Sequence, residues 1–206
     1  LLWMFESHTD QIKMELPEDM FRLTDEGIEF IETDINRVKG VNKEKSERFT
    51  QAMKNEGIQF PIKNIYGLPS TSKSKDDGYF MVDNKDDFFH LKMYDGEPQC
   101  HKIPLPVGMQ VNGMNCLVDD VNYGYVYDQN YNIYLMRIKD YSFFQLPIYD
   151  YKDYGSLITM SEDLFFYTYQ LYGLDRVKIY VVDKEHNLLA SETLVYPLYE
   201  NSKVGQ

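Results

Sequence analysis

The chain has 206 residues, of which 33 are acidic and 21 basic, so its formal net charge at neutral pH is −12. A chain this acidic repels the phosphates of nucleic acids and of anionic membrane surfaces, which argues against both as partners. Hydrophobic residues make up 43% and charged residues 26% of the chain, a balance that favours a folded domain with a sizeable core over disorder.

The sequence begins at Leu1 without an initiator methionine, and we expect anchoring segments of a longer protein to lie outside it. Within it, no window reaches the roughly 18 consecutive apolar residues of a membrane-spanning helix. The opening run from Leu1 to Phe5 is too short to span a bilayer. It is either a juxtamembrane remnant or a first strand docked on the core, and its length does not separate the two.

The N-terminal region, residues 1–77, predicts a hairpin, a helix and a loop. Apolar residues alternate with polar ones over residues 20–33, on both sides of a turn in which Gly27 is expected to supply a positive φ. Residues 58–62 predict a short edge strand, because they contain a proline. Residues 67–78, rich in Ser, Lys and Asp, predict a surface loop.

Residues 43–56 predict the only helix in this region. Phe49 and Met53 fall on one face at helical spacing. Asn42 is expected to cap the N-terminus, and Gly57 stands where a C′ glycine belongs. The remaining face is charged, which indicates an ordinary helix that covers part of a sheet.

One nine-residue pattern occurs three times from residue 78 onward. It consists of two apolar residues, Asp, three mostly polar residues, Asp or Asn, and two apolar residues. The copies occupy residues 81–89, 126–134 and 181–189. The first Asp of each copy is expected to accept the backbone N–H two residues later and so start a turn. The second Asp or Asn is expected to adopt the left-handed conformation that closes the turn.

These hairpins predict the architecture. Their first Asp residues, Asp83, Asp128 and Asp183, are separated by 45 and 55 residues, which is the spacing of propeller blades. The sequence therefore predicts a mostly β fold, with a propeller-like array of three to four antiparallel hairpin or meander units and one N-terminal helix. Residues 78–206 would supply the repeated meanders, and residues 1–206 would form a single domain. WD and kelch signatures are absent, so a two-sheet sandwich stays open as the alternative.

The two cysteines could form a disulfide or lie as free thiols. Cys100 and Cys116 both fall in strand-like segments, and since cysteine is often buried without a role we predict free thiols. A metal site built from them with His90 and His101 has neither CxxC nor HxxxH spacing. We predict no metal and no cofactor.

The segment 148–155 holds three tyrosines and two aspartates, which suits sugar or peptide binding because rings stack on apolar faces and carboxylates accept protons. The alternative is a connection between units whose tyrosine rings cover the core. The candidate ligand-binding residues are Tyr149, Asp150, Tyr151, Asp153 and Tyr154.

No catalytic residue is assigned. Asp119 and Asp120 are adjacent, so on a strand they point apart and cannot form the carboxylate pair of a glycosidase. A partner such as Asp150 or Glu162 would be needed. The carboxylate-rich turn at Asp83 could attract calcium, but its turn role is sufficient to explain it.

Four segments together carry a family resemblance: Arg48–Ala52, Phe60–Gly67, Asp77–Asp83 and Phe89–Lys92. They resemble an uncharacterised family of membrane-anchored extracytoplasmic domains from gut-type Gram-negative bacteria, with the likeness strongest over residues 40–105. The resemblance implies a domain at the periplasmic face of the inner membrane. It transfers no activity and no site residue.

We therefore predict a non-enzymatic extracytoplasmic binding or sensing domain, whose partner is a membrane protein or a glycan. The motivation is a repeated hairpin scaffold without concentrated catalytic chemistry. The alternative is a carbohydrate-active hydrolase with paired carboxylates in a cleft.

Overall fold

The computed structural model describes residues 1–7, 14–34, 37–73, 75–149, 151–154 and 158–196. The chain divides into two compact units. Unit 1 contains Leu1–Gln129 and Leu135–Phe144, and unit 2 contains Asn130–Tyr134 and Gln145–Gln206. The single domain predicted for residues 1–206 stays a prediction.

The N-terminal part of unit 1 is a three-stranded antiparallel sheet followed by a helix. The strands are β1 (Asp19–Leu23), β2 (Ile28–Asp34) and β3 (Arg37–Asn42), and the helix is α1 (Lys43–Asn55). The Asn42 side chain accepts the backbone N–H of Lys45 at 3.0 Å, so the predicted N-cap is confirmed. Gly57 has φ +95°, as the predicted end of the helix requires.

Gly27 lies in the predicted turn between β1 and β2, but the reason predicted for a glycine is wrong. It is not among the glycines with a positive φ. A Cβ at this position would lie 2.4 Å from Oγ1 of Thr50 in α1. Gly27 is therefore required by the close approach of the helix, which the local sequence does not show.

Three four-stranded antiparallel sheets follow, each with its strands in chain order. The second sheet contains β4 (Asn64–Gly67), β5 (Tyr79–Val82), β6 (Phe88–Tyr94) and β7 (Glu97–Ile103). The third contains β8 (Val111–Cys116), β9 (Asn122–Asp128), β10 (Ile133–Arg137) and β11 (Phe143–Gln145). The fourth contains β12 (Ile158–Glu162), β13 (Tyr167–Tyr172), β14 (Arg176–Val182) and β15 (Leu188–Val195), and is preceded by the short helix α2 (Tyr151–Tyr154).

The mostly β fold and its antiparallel meander units are confirmed. Two details are wrong. A second helix, α2, lies in a connection where none was predicted. The predicted strand at 58–62 is irregular chain with a cis bond before Pro61, and the strand begins at Asn64. Proline has no N–H to donate, and the neighbouring Gln59 donates its N–H to the Asp83 carboxylate instead of to a strand.

The repeated turn is confirmed at its first position in the copies that begin with Asp83 and Asp183, and it is wrong at its second position. Asp83 and Asp183 each accept the backbone N–H groups two and four residues later. The positive φ falls one residue before the second Asp or Asn, on Asp86, Tyr131 and His186. A type I turn followed by one left-handed residue is the common three-residue hairpin loop, and it places that residue sixth in the nine-residue pattern, three residues after the first Asp.

Unit 1 has a large aromatic core. Phe30 lies between Phe21 and the helix residue Phe49, with ring centroids 5.8 and 4.7 Å apart. The N-terminal run docks on this core: Leu2 exchanges two backbone hydrogen bonds with Phe21, and Met4 is fully buried. No described helix is long and apolar enough to cross a bilayer.

Unit 2 has a smaller core on one face of the fourth sheet. Tyr169 on β13 and Tyr180 on β14 lie directly opposite each other and are buried. Leu171 and Val182 are buried beside them. The two outer strands, β12 and β15, are exposed along almost their whole length.

Candidate functional site

A buried polar and aromatic cluster lies in unit 1 around His90. His90 on β6 pairs with Phe80 on β5, and their rings stack with centroids 4.2 Å apart. Tyr123 packs edge-on against both rings at 5.1 Å. Tyr141 completes the cluster from the turn after β10, where its φ is +57°.

His90 and Tyr141 form a hydrogen-bonded chain that ends on the backbone of Asp77. His90 Nε2 bonds to the backbone carbonyl of Asp77, which can only accept, so the other ring nitrogen Nδ1 is the acceptor for Tyr141 Oη at 2.8 Å. Burial lowers the pKa of His90 to about 4, so the ring is neutral at pH 7. Both nitrogens are occupied, which makes His90 a structural group and not a base open to a substrate.

The loop before β5 carries a second buried polar group. Asp76 accepts the N–H of Gly78 at 2.8 Å and pairs with Lys73 at 2.8 Å, with both charged side chains largely buried. The composition of this segment predicts an exposed surface loop, and nothing in the sequence indicates that Asp76 is buried. Burial also raises the pKa of the neighbouring Asp77 carboxyl.

A cavity of about 420 Å³ lies between β4 and β8 in unit 1. Tyr66, Leu68, Met114 and Cys116 are among its lining residues. Burial raises the pKa of the Cys116 thiol to about 12, so the thiol is protonated at neutral pH and is a poor nucleophile. Cys100 is also a free thiol, so the predicted state of both cysteines is confirmed.

The predicted ligand-binding residues are divided between the surface and the interior of unit 2. Tyr149 is 71% exposed, and Asp153 is exposed on α2. Tyr151 and Tyr154 are both buried, in the manner expected of rings that cover a core. Asp150 lies outside the described residues. A binding role for these residues stays a prediction.

The hairpin between β12 and β13 ends in an apolar tip, formed by Leu164, Phe165 and Phe166. Leu164 is 86% and Phe165 68% exposed. The turn itself is well ordered by hydrogen bonds, because Asp163 Oδ1 accepts the N–H groups of Phe165 and Phe166, each at 2.7 Å. The same bonds lower the pKa of the Asp163 carboxyl.

The sequence contained a signal for this tip. Turn positions are usually occupied by Gly, Asn, Asp, Ser or Pro, and here two large apolar residues follow the turn-forming Asp163. The turn between β14 and β15, residues 183–187, lies at the same end of the sheet, since antiparallel strands alternate in direction. Lys184 of that turn bonds to Glu162 at 2.8 Å and so joins the two hairpins.

The other acidic candidates have structural roles in the described residues. Asp119 accepts the N–H of Val121 at 3.0 Å and the amide of Asn122 at 2.9 Å. Asp120 is almost fully exposed and pairs with Lys75. The described residues include no group of three His, Cys, Asp or Glu side chains arranged to hold a metal ion.

Comparison with known proteins gives a family and no closer relative. The model of the family described as Domain of unknown function (DUF4857) matches residues 1–182. Neither the comparison with curated proteins nor that with solved structures gave a match.

Proposed function

The chain belongs to this family of unknown function, and we propose that it is a non-enzymatic domain that binds a partner protein through the apolar tip of unit 2. The observation that carries the proposal is the exposure of Leu164 and Phe165 at an ordered turn. Burying such a side chain against a partner is worth about 1.5–3 kcal/mol. Two adjacent side chains of this kind would therefore contribute substantially to the free energy of binding.

The charges around the apolar tip favour a protein over a membrane surface as the partner. Glu162, Asp163 and Glu185 flank the tip and are acidic, whereas only Lys184 is basic. Anionic lipids would repel this end of the sheet. A protein with an apolar pocket and a basic rim is complementary to it.

The test compares variants of the apolar tip with a matched change in unit 1. Phe165→Ser and Leu164→Ser are introduced into the full-length protein, and Val107→Ser is the control, because Val107 is a fully exposed apolar side chain of unit 1. Proteins crosslinked to each variant in the native membrane are quantified by mass spectrometry. We expect a partner lost by both tip variants and kept by the control. A crosslinked set that is the same for all three variants would overturn the proposal.

The architecture and location of the domain form part of the same proposal. Four consecutive meanders with a recurring Asp turn support a propeller-like arrangement. The sequence resemblance supports a membrane-anchored domain at the periplasmic face of the inner membrane. Val107→Cys in the full-length protein is expected to react with a membrane-impermeant maleimide in intact spheroplasts, because the side chain at this position is fully exposed. The native chain, which contains only Cys100 and Cys116, measures the background labelling. Labelling only after lysis would contradict this location.

A glycan is the second candidate ligand, and the exposed ring of Tyr149 supports it. On a glycan array, binding that disappears in Tyr149→Ala but persists in Tyr131→Ala, a second exposed tyrosine of unit 2, would favour this candidate. An array without any signal would count against it.

A further inference from the structure

The outer strand β15 is exposed along its whole length. All eight residues, Leu188–Val195, are exposed, and within the described residues β15 pairs only with β14. It contains no proline and a single charged residue, Glu192. Proteins usually protect an edge strand with charges, proline or a covering segment, and among the described residues β15 has little such protection.

The register shows which backbone groups of β15 face outward. The N–H of Tyr196 donates to the carbonyl of Asp175 at 2.7 Å, which makes these two residues a hydrogen-bonded pair. The antiparallel register continues without a shift from Arg176 opposite Val195 to Val181 opposite Ala190. Hydrogen-bonded pairs alternate with non-bonded pairs along an antiparallel ladder.

Two sets of residues follow from this alternation. Ala190, Glu192 and Leu194 direct their N–H and C=O groups toward β14. Ser191, Thr193 and Val195 direct theirs away from the sheet. The described part of the chain provides no partner for these six outward groups.

We propose that this edge takes up an extended segment of the partner protein as an added β-strand. The inference rests on the proposed function and specifies how the partner is bound. The outward N–H and C=O groups would pair with the backbone of the segment, and alternate side chains would select its sequence.

The charges favour a basic segment over a second copy of this chain. Glu192 lies opposite Ile179 on β14 and has no ion-pair partner among the described residues. A second copy would bring a further formal charge of −12 to the interface. A partner segment with Lys or Arg opposite Glu192, and an apolar residue two positions away opposite Leu194, complements both side chains.

The test uses a synthetic peptide as the probe. The peptide is blocked at both ends and reads Thr-Val-Thr-Lys-Thr-Val-Thr, which places the lysine and both valines on one face. Its binding to the chain is measured by fluorescence anisotropy. We expect Thr193→Pro, which removes an outward N–H, to weaken binding about tenfold or more, whereas Thr193→Val, which keeps it, leaves binding within about twofold. A peptide with Glu in place of Lys should bind about tenfold more weakly.

Circular dichroism establishes that each variant is folded, and Ser191→Pro replaces Thr193→Pro if the latter is not. Equal binding by a folded proline variant and the native chain would overturn strand addition, while the proposed function would stand on its crosslinking test. Failure of the peptide to bind the native chain would also overturn it. So would a dimer of the chain that Thr193→Pro dissociates, because the occupant of the edge would then be a second copy.

Discussion

Units 1 and 2 use the same hairpins but bury their apolar side chains to different extents. Of the twelve largest fully buried side chains, only Tyr169 belongs to unit 2. Unit 2 instead exposes large apolar residues at its hairpin tip and along β15. In unit 1 the aromatic residues stabilise the fold. In unit 2 Tyr149, Phe165 and Phe166 are exposed, as is typical of a surface that contacts another molecule.

The repeated Asp turn shows the same difference at a single residue. In unit 1, Asp83 is fully buried and also accepts the N–H of Gln59 at 2.8 Å, which connects the turn to the chain before β4. In unit 2, Asp183 is partly exposed and bonds only within its own turn, to Glu185 and Asn187. One local motif therefore serves tertiary packing in unit 1 and only local structure in unit 2.

The largest loss of stability is expected for Phe49→Ala in the core of unit 1. Phe49 is fully buried, with its ring edge-on to Phe30. The change should lower the free energy of unfolding by about 3–5 kcal/mol, because it removes contacts and leaves a cavity. Urea titration followed by the fluorescence of Trp3, the single tryptophan, reports this loss in unit 1.

Phe165→Ala in unit 2 is the matched change. Since Phe165 is mostly exposed, its truncation should alter the unfolding free energy by no more than about 0.5 kcal/mol. Circular dichroism during the urea titration measures it. Equal losses for the two variants would contradict the difference between the units.

Asp83→Ala is expected to have the next largest effect. The three N–H groups of Lys85, Asp87 and Gln59 would lose the fully buried Asp83 carboxylate as their acceptor, at a cost of about 3 kcal/mol. Asp83→Asn keeps one acceptor oxygen and should cost less. Asp183→Ala should lower the free energy of unfolding less than Asp83→Ala does, because the N–H groups of Glu185 and Asn187 are exposed and can bond to water instead. A reversed order in chemical denaturation would show that the buried bonds do not decide the effect.

The pH dependence of stability tests the His90 cluster. Its pKa is about 4 in the folded protein and about 6.5 in the unfolded chain, so below pH 6.5 the unfolded chain binds a proton that the folded protein does not. Stability should fall by about 2 kcal/mol between pH 7.5 and pH 5 on account of this group.

The raised pKa of Asp77 has the opposite effect on stability. As the pH falls, the folded protein binds a proton at Asp77 before the unfolded chain does, so this protonation favours the folded state. His90→Gln removes the histidine contribution and leaves that of Asp77. We expect urea titrations at the two pH values to give a smaller difference for this variant. An unchanged difference would assign the pH dependence to other groups.

The smallest effect expected is a pattern of amide hydrogen exchange along β15. The amides of Ser191 and Thr193 face outward and should exchange faster than those of Glu192 and Leu194, which donate to β14. Exchange measured by NMR on the free chain resolves this alternation. Uniform protection along the strand would mean that the outer edge is already paired.

The sequence was sufficient for features set by neighbouring residues. The Asp residues that start the turns at residues 83 and 183 and both caps of α1 follow from groups a few residues apart, and the structure contains them. It was insufficient where distant residues decide. Gly27 is required by Thr50 of α1. Asp83 accepts the N–H of Gln59, which lies 24 residues before it in the chain.

The candidate site was predicted less well for a related reason. Tyrosines in a loop look alike in a sequence whether they face water or the core, and only the packing of α2 separates Tyr149 from Tyr151 and Tyr154. For Leu164 and Phe165 the sequence does contain a signal, since large apolar residues are unusual directly after a turn-forming Asp. The hydrogen bonds of Asp163 show that the turn forms there.

The unprotected edge of β15 also bears on how well the isolated domain stays in solution. A strand of eight exposed residues, with one charge and no proline, can seed open-ended assembly of sheets as the concentration rises. The net charge of −12 opposes such assembly at low salt. At high salt, which screens this charge, light scattering should detect aggregation of the purified domain at a lower protein concentration than for Thr193→Pro, which lacks one outward N–H. In the cell, occupation of the same edge would preserve solubility as well as make a contact.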